Sequence, residues 1–388
     1  MKGRLRLKGI SRNEKRAYRK LQKHLNAQPV GFPSTWSGAD IRFLRRMFTV
    51  EEARLALHLS YRPSPLTLIM ETAGDGFSRK RAGELLENLL MKGSIGFKEV
   101  EGEGRWYLLP MVVGMYEAQD GRPTRSFLRD AGAYMNTMSF GKSLLSARPS
   151  QMRTIPINAS IPVDLPVATY DQVTSLVETS PGPFVILPCI CRESSALRGK
   201  PCGVTRRGET CLGMGSMAAM VLRRGHGREI ERAEALDILR MSQEEGLVLQ
   251  PSNAREPEFI CSCCGCCCGM LQLQKMLPSP VDFWTSSFRA EIDPESCTGC
   301  GICVKRCQVD AVSLRGSPAV AVISGNRCIG CGLCVPACPA GAVSLVPGDG
   351  EKIPPEDTED LYETIMSNRR GPLGRLALLL RVLVKRRR

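Results

Sequence analysis

The chain has 388 residues and ordinary apolar content, but its 18 cysteines all fall between Cys189 and Cys338. That length predicts about two to three domains. No apolar run approaches the roughly 20 residues of a membrane helix, and the start, MKGRLRLKGISRNEK, has no apolar core of a secretion signal. Clustered cysteines without such a signal indicate metal or redox sites rather than disulfides, so we expect a cytoplasmic protein.

The net charge of +14 is concentrated at the two ends of the chain. Residues 1–26 carry ten Lys and Arg against the single Glu14, and residues 369–388 carry eight with no acid. The remaining chain is nearly neutral. The high isoelectric point is therefore a property of two basic arms and does not by itself indicate a nucleic-acid-binding body.

Residues 1–48 are predicted to form a basic arm that becomes helical after the capping-box pattern Ser11-x-x-Glu14. Residues 49–118 have the pattern of a winged-helix-like domain. Three helices are predicted in TVEEARLALHL, SPLTLIMETA and SRKRAGELLENLLMKG, followed by a hairpin of IGFKEV and RWYLLP. The basic run Arg79–Arg81 begins the helix that would read DNA. Because acidic residues follow on that helix, an interaction domain that does not contact DNA is the favoured alternative.

Residues 119–165 are predicted to be a connector with some helix, and residues 166–275 a cysteine-rich α/β domain. In this domain YDQVTSLVETS and EIERAEALDILRMSQEEG are predicted helices, and FVILP is a short buried strand that ends at the first cysteines. We expect four thiolates on the following loops to form a third metal centre, in which nearby arginines lower the thiol pKa values. These four are Cys189, Cys191, Cys202 and Cys211. A zinc site or a store of reactive thiols is the alternative.

The stretch ICSCCGCCCGM adds six cysteines within eight positions. They are Cys261, Cys263, Cys264, Cys266, Cys267 and Cys268. Adjacent cysteines point in different directions, so the six cannot all bind one ion. We expect the stretch to divide its thiolates between sites or to join the preceding four around one larger centre. Partial use, with spare free thiols, stays an alternative.

Residues 291–347 contain an internal repeat. CTGCGICVKRCQVDAVSL begins at Cys297 and CIGCGLCVPACPAGAVSL begins at Cys328, 31 residues later. Each half reads C-x2-C-x2-C-x3-C, the pattern of bacterial two-cluster ferredoxins, in which the fourth cysteine of each run binds the other cluster. The segment closely resembles that family.

The resemblance implies two 4Fe–4S clusters and their ligands. The first would be held by Cys297, Cys300, Cys303 and Cys338, and the second by Cys328, Cys331, Cys334 and Cys307. The first run departs from the family pattern, because Gln308 follows Cys307 where proline is usual. Equal reduction potentials for the two clusters are therefore not expected. Zinc knuckles are the alternative, although zinc does not require a duplicated run of eight cysteines.

From about residue 30 to 345, the chain resembles multi-cysteine, 4Fe-4S dicluster ferredoxin-like proteins of anaerobic bacteria and archaea. They combine a winged-helix-like start, a C-x-C-R segment, a CCGCC-type block and a C-terminal two-cluster ferredoxin. The resemblance implies an α+β multidomain fold, with the bacterial-type ferredoxin fold near the C-terminus, and an iron–sulfur electron carrier.

Residues 348–388 are predicted to be a basic amphipathic tail. Its apolar stripe precedes the basic run Lys385–Arg388 and consists of Leu373, Leu376, Leu380 and Leu383. Such a helix can lie on an anionic membrane surface at the cytoplasmic face. Docking to a protein partner, or a merely solvated tail, is the alternative.

No nucleotide, flavin or haem motif is found in the sequence, which has three histidines. We therefore predict a protein that passes single electrons through two 4Fe–4S clusters, and one or two further cysteine-ligated centres, between oxidoreductase partners. It is expected to be an electron carrier or oxidoreductase subunit rather than a stand-alone enzyme, with no catalytic residues assigned. The rival interpretations are a redox-sensing winged-helix regulator that binds DNA and a catalytic iron–sulfur reductase subunit.

Overall fold

The computed structural model describes residues 11–119, 123–161, 167–348 and 353–369. The chain divides into two compact units. Unit 1 comprises residues 1–147, 219–226 and 362–371, and unit 2 comprises 148–218, 227–361 and 372–388. The stripe and basic run predicted for the C-terminal tail lie outside the described residues. None of the described helices is both long and apolar enough to cross a membrane.

Unit 1 is mainly helical. Its helices are α1 Arg12–Asn26, α2 Ala39–Met47, α3 Val50–Leu55, α4 Leu66–Ala73, α5 Arg79–Met91, α6 Arg125–Met135 and α7 Met138–Ser146. Its strands are β1 Ser64–Pro65, β2 Ile95–Val100 and β3 Glu103–Leu108. Capping boxes start two of the helices, because Ser11 and Glu14 satisfy each other's backbone N–H groups before α1, as Thr49 and Glu52 do before α3.

Helices and a hairpin are present where the sequence predicts them in residues 49–118. Strands β2 and β3 pair antiparallel, and β1 adds to β3 in the order β1-β3-β2. The side chain of Arg81, in the basic run that begins α5, is engaged within the unit. It lies 2.5 Å from a carboxylate oxygen of Glu51 and 3.1 Å from one of Glu84. The winged-helix identity stays a prediction.

Unit 2 contains every cysteine of the chain. Its helices are α8 Val173–Thr179, α9 Ile190–Leu197, α10 Gly215–Arg223, α11 Arg232–Glu245, α12 Gly269–Met276, α13 Ile302–Arg306 and α14 Thr358–Ser367, of which α10 and α14 continue into unit 1. Its strands are β4 Arg153–Thr154, β5 Phe184–Pro188, β6 Glu209–Met214, β7 Arg228–Ile230, β8 Val248–Pro251, β9 Phe259–Cys263, β10 Thr285–Ser286, β11 Phe288–Ile292, β12 Val312–Arg315, β13 Val320–Ile323 and β14 Val343–Pro347.

A five-stranded antiparallel sheet forms the centre of unit 2, in the order β7-β5-β6-β9-β8. Ile186, Leu212 and Ile260 pair across the three inner strands and share one face of the sheet. They are buried in a core to which α8 and α11 contribute further apolar side chains. Because side chains alternate along a strand, the neighbouring residues of β6 and β9 point to the other face. That other face carries cysteines.

The ferredoxin-like repeat lies beside this sheet and has a smaller core. Strand β11 pairs antiparallel with β14, and β12 pairs with β13 in a hairpin. Its buried apolar residues include Cys303 and Cys334, with several other cysteines packed against them. The core of this region is therefore built partly from the residues predicted to bind metal.

Candidate metal centres

The two loops of the repeat are closed by matching contacts. Gly299 and Gly330 occupy equivalent positions and have φ of 68° and 65°. A Cβ atom at Gly299 would lie 2.1 Å from the carbonyl oxygen of Ala319, and one at Gly330 would lie 2.1 Å from that of Phe288. Only glycine fits this conformation and this close approach. The loops are thereby fixed around the space that their cysteines enclose.

Backbone amides donate to three sulfur atoms of the repeat. The N–H of Ala311 lies 3.2 Å from Sγ of Cys307, and the amides of Ala290 and Ala321 each lie 3.4 Å from a cysteine sulfur. Hydrogen bonds to a charged form stabilise it, so these amides favour thiolate over thiol. Thiolates with amide donors in an apolar surrounding are the environment that an iron–sulfur cluster requires.

The fourth cysteine of the first run lies with the first three of the second run. Burial, followed by the charges of Cys328 and Cys307, raises the pKa of Cys334 to about 12. Burial, followed by the charge of Cys334, raises the pKa of Cys331, and Cys307 and Cys328 raise it further. Cys338 packs against the apolar group that contains both Cys303 and Cys334. The four-thiolate sets implied by the ferredoxin resemblance are compatible with these contacts, and the residues present fit 4Fe–4S clusters.

Outside the repeat, four cysteines form a compact group that we call the four-cysteine site. Its members are Cys202, Cys264, Cys266 and Cys267, and their four sulfur atoms all lie within 4.8 Å of one another. Sγ of Cys202 lies 3.6 Å from that of Cys264 and 3.7 Å from that of Cys266. Four thiolates bound tetrahedrally at about 2.3 Å to one zinc ion would lie about 3.8 Å apart. The spacing of the sulfur atoms therefore suits one tetrahedrally bound ion.

One thiol of the four-cysteine site is prepared to ionise. Burial alone would raise the pKa of Cys202, but the amides of Thr205 and Val204 donate to its sulfur and lower that pKa to about 7. Burial raises the pKa of Cys267 to about 12. Because metal binding requires thiolates, an ion that bound here would displace protons from these thiols.

The other six cysteines form a second, wider group that we call the six-cysteine ring. Its members are Cys189, Cys191, Cys268, Cys263, Cys261 and Cys211. In that order each thiol interacts with the next, and the last interacts with the first. Cys189, Cys263 and Cys268 are buried, and the other three cysteines of the ring are partly buried.

Strand register brings the ring together. Cys211 of β6 lies directly opposite Cys261 of β9, and Cys263 follows two residues later on the same face. This is the face opposite the α8 and α11 core. Cys189 follows β5 and precedes α9, and Cys268 precedes α12. Three neighbouring strands and the starts of two helices thus deliver the six thiols to one place.

A buried arginine lies between the two groups. The guanidinium of Arg192, 6% exposed, donates to the hydroxyl of Thr210 and, at 2.7 Å, to the carbonyl oxygen of Ser262. Burial opposes its charge, but Cys189 of the ring and Cys264 of the four-cysteine site raise the pKa of Arg192. A fixed positive charge at this position offsets the negative charge of both thiolate groups.

The structure therefore divides the ten middle cysteines differently from the sequence prediction. The predicted third centre places Cys202 with Cys189, Cys191 and Cys211, whereas the structure places it with three cysteines of the dense stretch. The sequence predicts a loop around Cys211, whereas in the structure this segment is strand β6, which pairs with β9. In the structure, Cys261 and Cys263 of the dense stretch lie on β9 on the face of Cys211, whereas Cys264, Cys266 and Cys267 follow the strand and lie beside Cys202.

A contact that the sequence did not predict joins the dense stretch to the ferredoxin-like repeat. The backbone N–H of Gly265 donates to the side-chain oxygen of Gln308 at 2.8 Å. A Cβ at Gly265 would lie 2.2 Å from the carbonyl oxygen of Gln308. Gln308 occupies the position where the ferredoxin pattern has proline, and that departure was the available signal. The glutamine holds the four-cysteine loop against the residue that follows Cys307.

Comparison with known proteins supports the interpretation of the repeat. A family model described as a 4Fe-4S dicluster domain matches residues 290–346. Neither the curated proteins nor the solved structures gave a match to the chain. The family match and the clustered cysteines identify an iron–sulfur, metal-binding protein of mixed helix and sheet.

Proposed function

We propose that this chain transfers single electrons between an oxidoreductase partner and a metal centre in its cysteine-rich sheet domain, through two 4Fe–4S clusters held by the repeat. The clusters supply one-electron chemistry when bound. The donor protein loses one electron for each electron that the chain gains.

The observation that carries the proposal is a shared apolar core. Cys263 and Cys268 of the six-cysteine ring are buried in one cluster with Leu271, Val309 and Ile329. Three cysteines of the repeat pack against the same cluster, namely Cys307, Cys328 and Cys331. These three belong to the predicted second 4Fe–4S site. Packed apolar side chains therefore connect the predicted second cluster site with the ring.

The predicted first cluster lies near the protein surface, where we expect electrons to enter. Cys300 is exposed, and the neighbouring Ile302 and Leu314 are 41% and 42% exposed although both are large and apolar. Exposed apolar side chains around a redox centre suit transient contact with a partner protein. The electron path we propose runs from this face through the first and second clusters to the ring.

DNA binding is less well supported. The side chain of Arg81, in the basic run that would enter a DNA groove, is already held by Glu51 and Glu84. A DNA phosphate would have to compete with both carboxylates. We therefore propose that the partner is a protein. We also propose that the C-terminal tail contacts an anionic membrane.

The test is partner-free electron transfer in the anaerobically loaded protein. A flash of photogenerated reductant should first reduce the repeat, and the absorbance of its reduced clusters should then decay as electrons reach the middle domain. Cys211→Ser should slow or abolish that decay, whereas Cys266→Ser, in the four-cysteine site, should leave it near the wild-type rate. Equal decay in wild type and in Cys211→Ser would contradict the proposed path.

A further inference from the structure

We propose that the six-cysteine ring binds one iron–sulfur cluster that is larger than a single 4Fe–4S cube. The inference extends the proposed electron-transfer function by naming the cofactor at the inner end of the path. It depends on the width of the ring, the number of its thiols and the buried polar groups that face it.

The width of the ring excludes a single ion. Among the described residues, the four-cysteine site is the one group in which three or more ligand atoms lie within 4.8 Å of one another. No three sulfur atoms of the ring meet that limit, although each thiol interacts with its two neighbours. Thiolates on one tetrahedral ion would lie about 3.8 Å apart, so the ring is too open for zinc.

The number of thiols excludes a simple cube. A 4Fe–4S cluster has four irons, each of which takes one protein thiolate. Six converging thiols exceed that number. If two cubes are joined by one sulfide that binds one iron of each, three irons of each cube remain for protein thiolates. The total of six thiolates matches the ring.

Two buried polar side chains indicate a bound group beside the ring. Gln250 is fully buried and lies opposite Cys261 in the β8–β9 register, so it shares the face of the ring. Both polar atoms of its side chain lack a hydrogen-bond partner among the residues that the structure describes. Nε of Arg192 is also buried and unpaired within the described part of the chain. Buried donors of this kind normally have partners, and bridging sulfides can accept from both.

The first arm of the test counts metal in the protein purified and reconstituted without oxygen. Wild type should contain about 16 irons, about eight in the repeat and about eight in the ring, with about one zinc ion in the four-cysteine site. The double variant Cys211→Ser/Cys263→Ser should lose about eight irons and keep the zinc. Cys266→Ser is the matched control, and it should lose zinc without loss of iron.

Mössbauer spectra of protein loaded with ⁵⁷Fe form the second arm. The double variant should lose half of the iron absorption and keep the spectrum of the two cubes, which also shows that it folds. Gln250→Leu leaves all six thiols in place and should change the spectrum of the ring iron while the cube spectrum stays constant.

The outcomes separate this inference from the proposed function. A loss of about four irons would show an ordinary cube in the ring, and no loss would show that the ring holds no cluster. Either result overturns the inference while the repeat keeps its clusters. Absence of cube iron from wild type would instead overturn the proposed function. An unchanged ring spectrum in Gln250→Leu would contradict the role assigned to that amide.

Discussion

The ferredoxin-like repeat and the sheet domain beside it organise cysteines in opposite ways. In the repeat, three ligands of each predicted site come from one short loop, and the core contains the cysteines themselves. In the sheet domain, the ring is assembled from β5, β6, β9 and two helix starts, over an apolar core that contains no cysteine. We therefore expect the repeat to depend on metal for its stability, whereas the sheet can position thiols before metal arrives.

Removal of iron should have the largest effect on folding, and it should act on the repeat rather than on the sheet. Anaerobic chelation should unfold the repeat, since a region with short strands and few buried apolar residues loses its main source of stability. The sheet should persist through its core, which includes Ile186 and Leu212. Hydrogen exchange measured by mass spectrometry should show lost protection in residues 290–346 and retained protection in β5 and β6. Equal loss in both regions would contradict the comparison.

Substitution of the buried arginine should have the next largest effect, and only in the sheet domain. Arg192→Met removes a positive charge that faces both groups of middle cysteines and leaves the carbonyl oxygen of Ser262 without its donor. We expect both middle centres to lose most of their metal while the repeat keeps its clusters.

The check is iron and zinc per chain, measured together with the EPR spectrum of the reduced repeat. Arg198→Met is the matched control, because Arg198 ends the same helix and is exposed. Arg192→Lys keeps the charge and should recover part of the metal. Normal metal content in Arg192→Met would show that the arginine does not stabilise the two middle centres.

The contact between the two regions should give the smallest effect. Gln308→Ala removes the hydrogen bond to the amide of Gly265 and should cost about 1 kcal/mol of unfolding free energy. Because Gln308 follows Cys307, the potential of the second cluster should shift while that of the first stays constant. Potentiometric EPR titration separates the two clusters. Gln272→Ala, also near the dense stretch, is the control that should leave both potentials unchanged.

The grouping of the cysteines could be predicted from the sequence in the repeat but not in the sheet domain, for a physical reason. C-x2-C-x2-C spacing acts within one loop, so it can be recognised without tertiary structure. The helices after Thr49 and Ser78 follow from local capping in the same way. In contrast, Cys211 meets Cys261 only because β6 pairs with β9, and no local pattern sets that register. The division of the ten middle cysteines therefore could not be obtained from spacing.

The contribution of Gln308 illustrates the same limit. Its departure from the ferredoxin pattern is visible in the sequence, and it predicts that the two clusters differ. That the glutamine binds Gly265, 43 residues earlier, depends on the packing of the repeat beside the sheet. A departure from a local motif can thus indicate where a distant segment docks, but not which segment it is.

Whether the repeat carries two redox-active 4Fe–4S clusters can be decided by a reductive titration of the anaerobically loaded protein, followed by EPR spectroscopy. We predict that the repeat takes up two electrons in two reversible one-electron steps, with signals of reduced 4Fe–4S clusters that broaden each other through spin coupling. Cys331→Ser should remove one step and the coupling. A colourless protein that holds zinc in the repeat and takes up no electrons there would contradict the account.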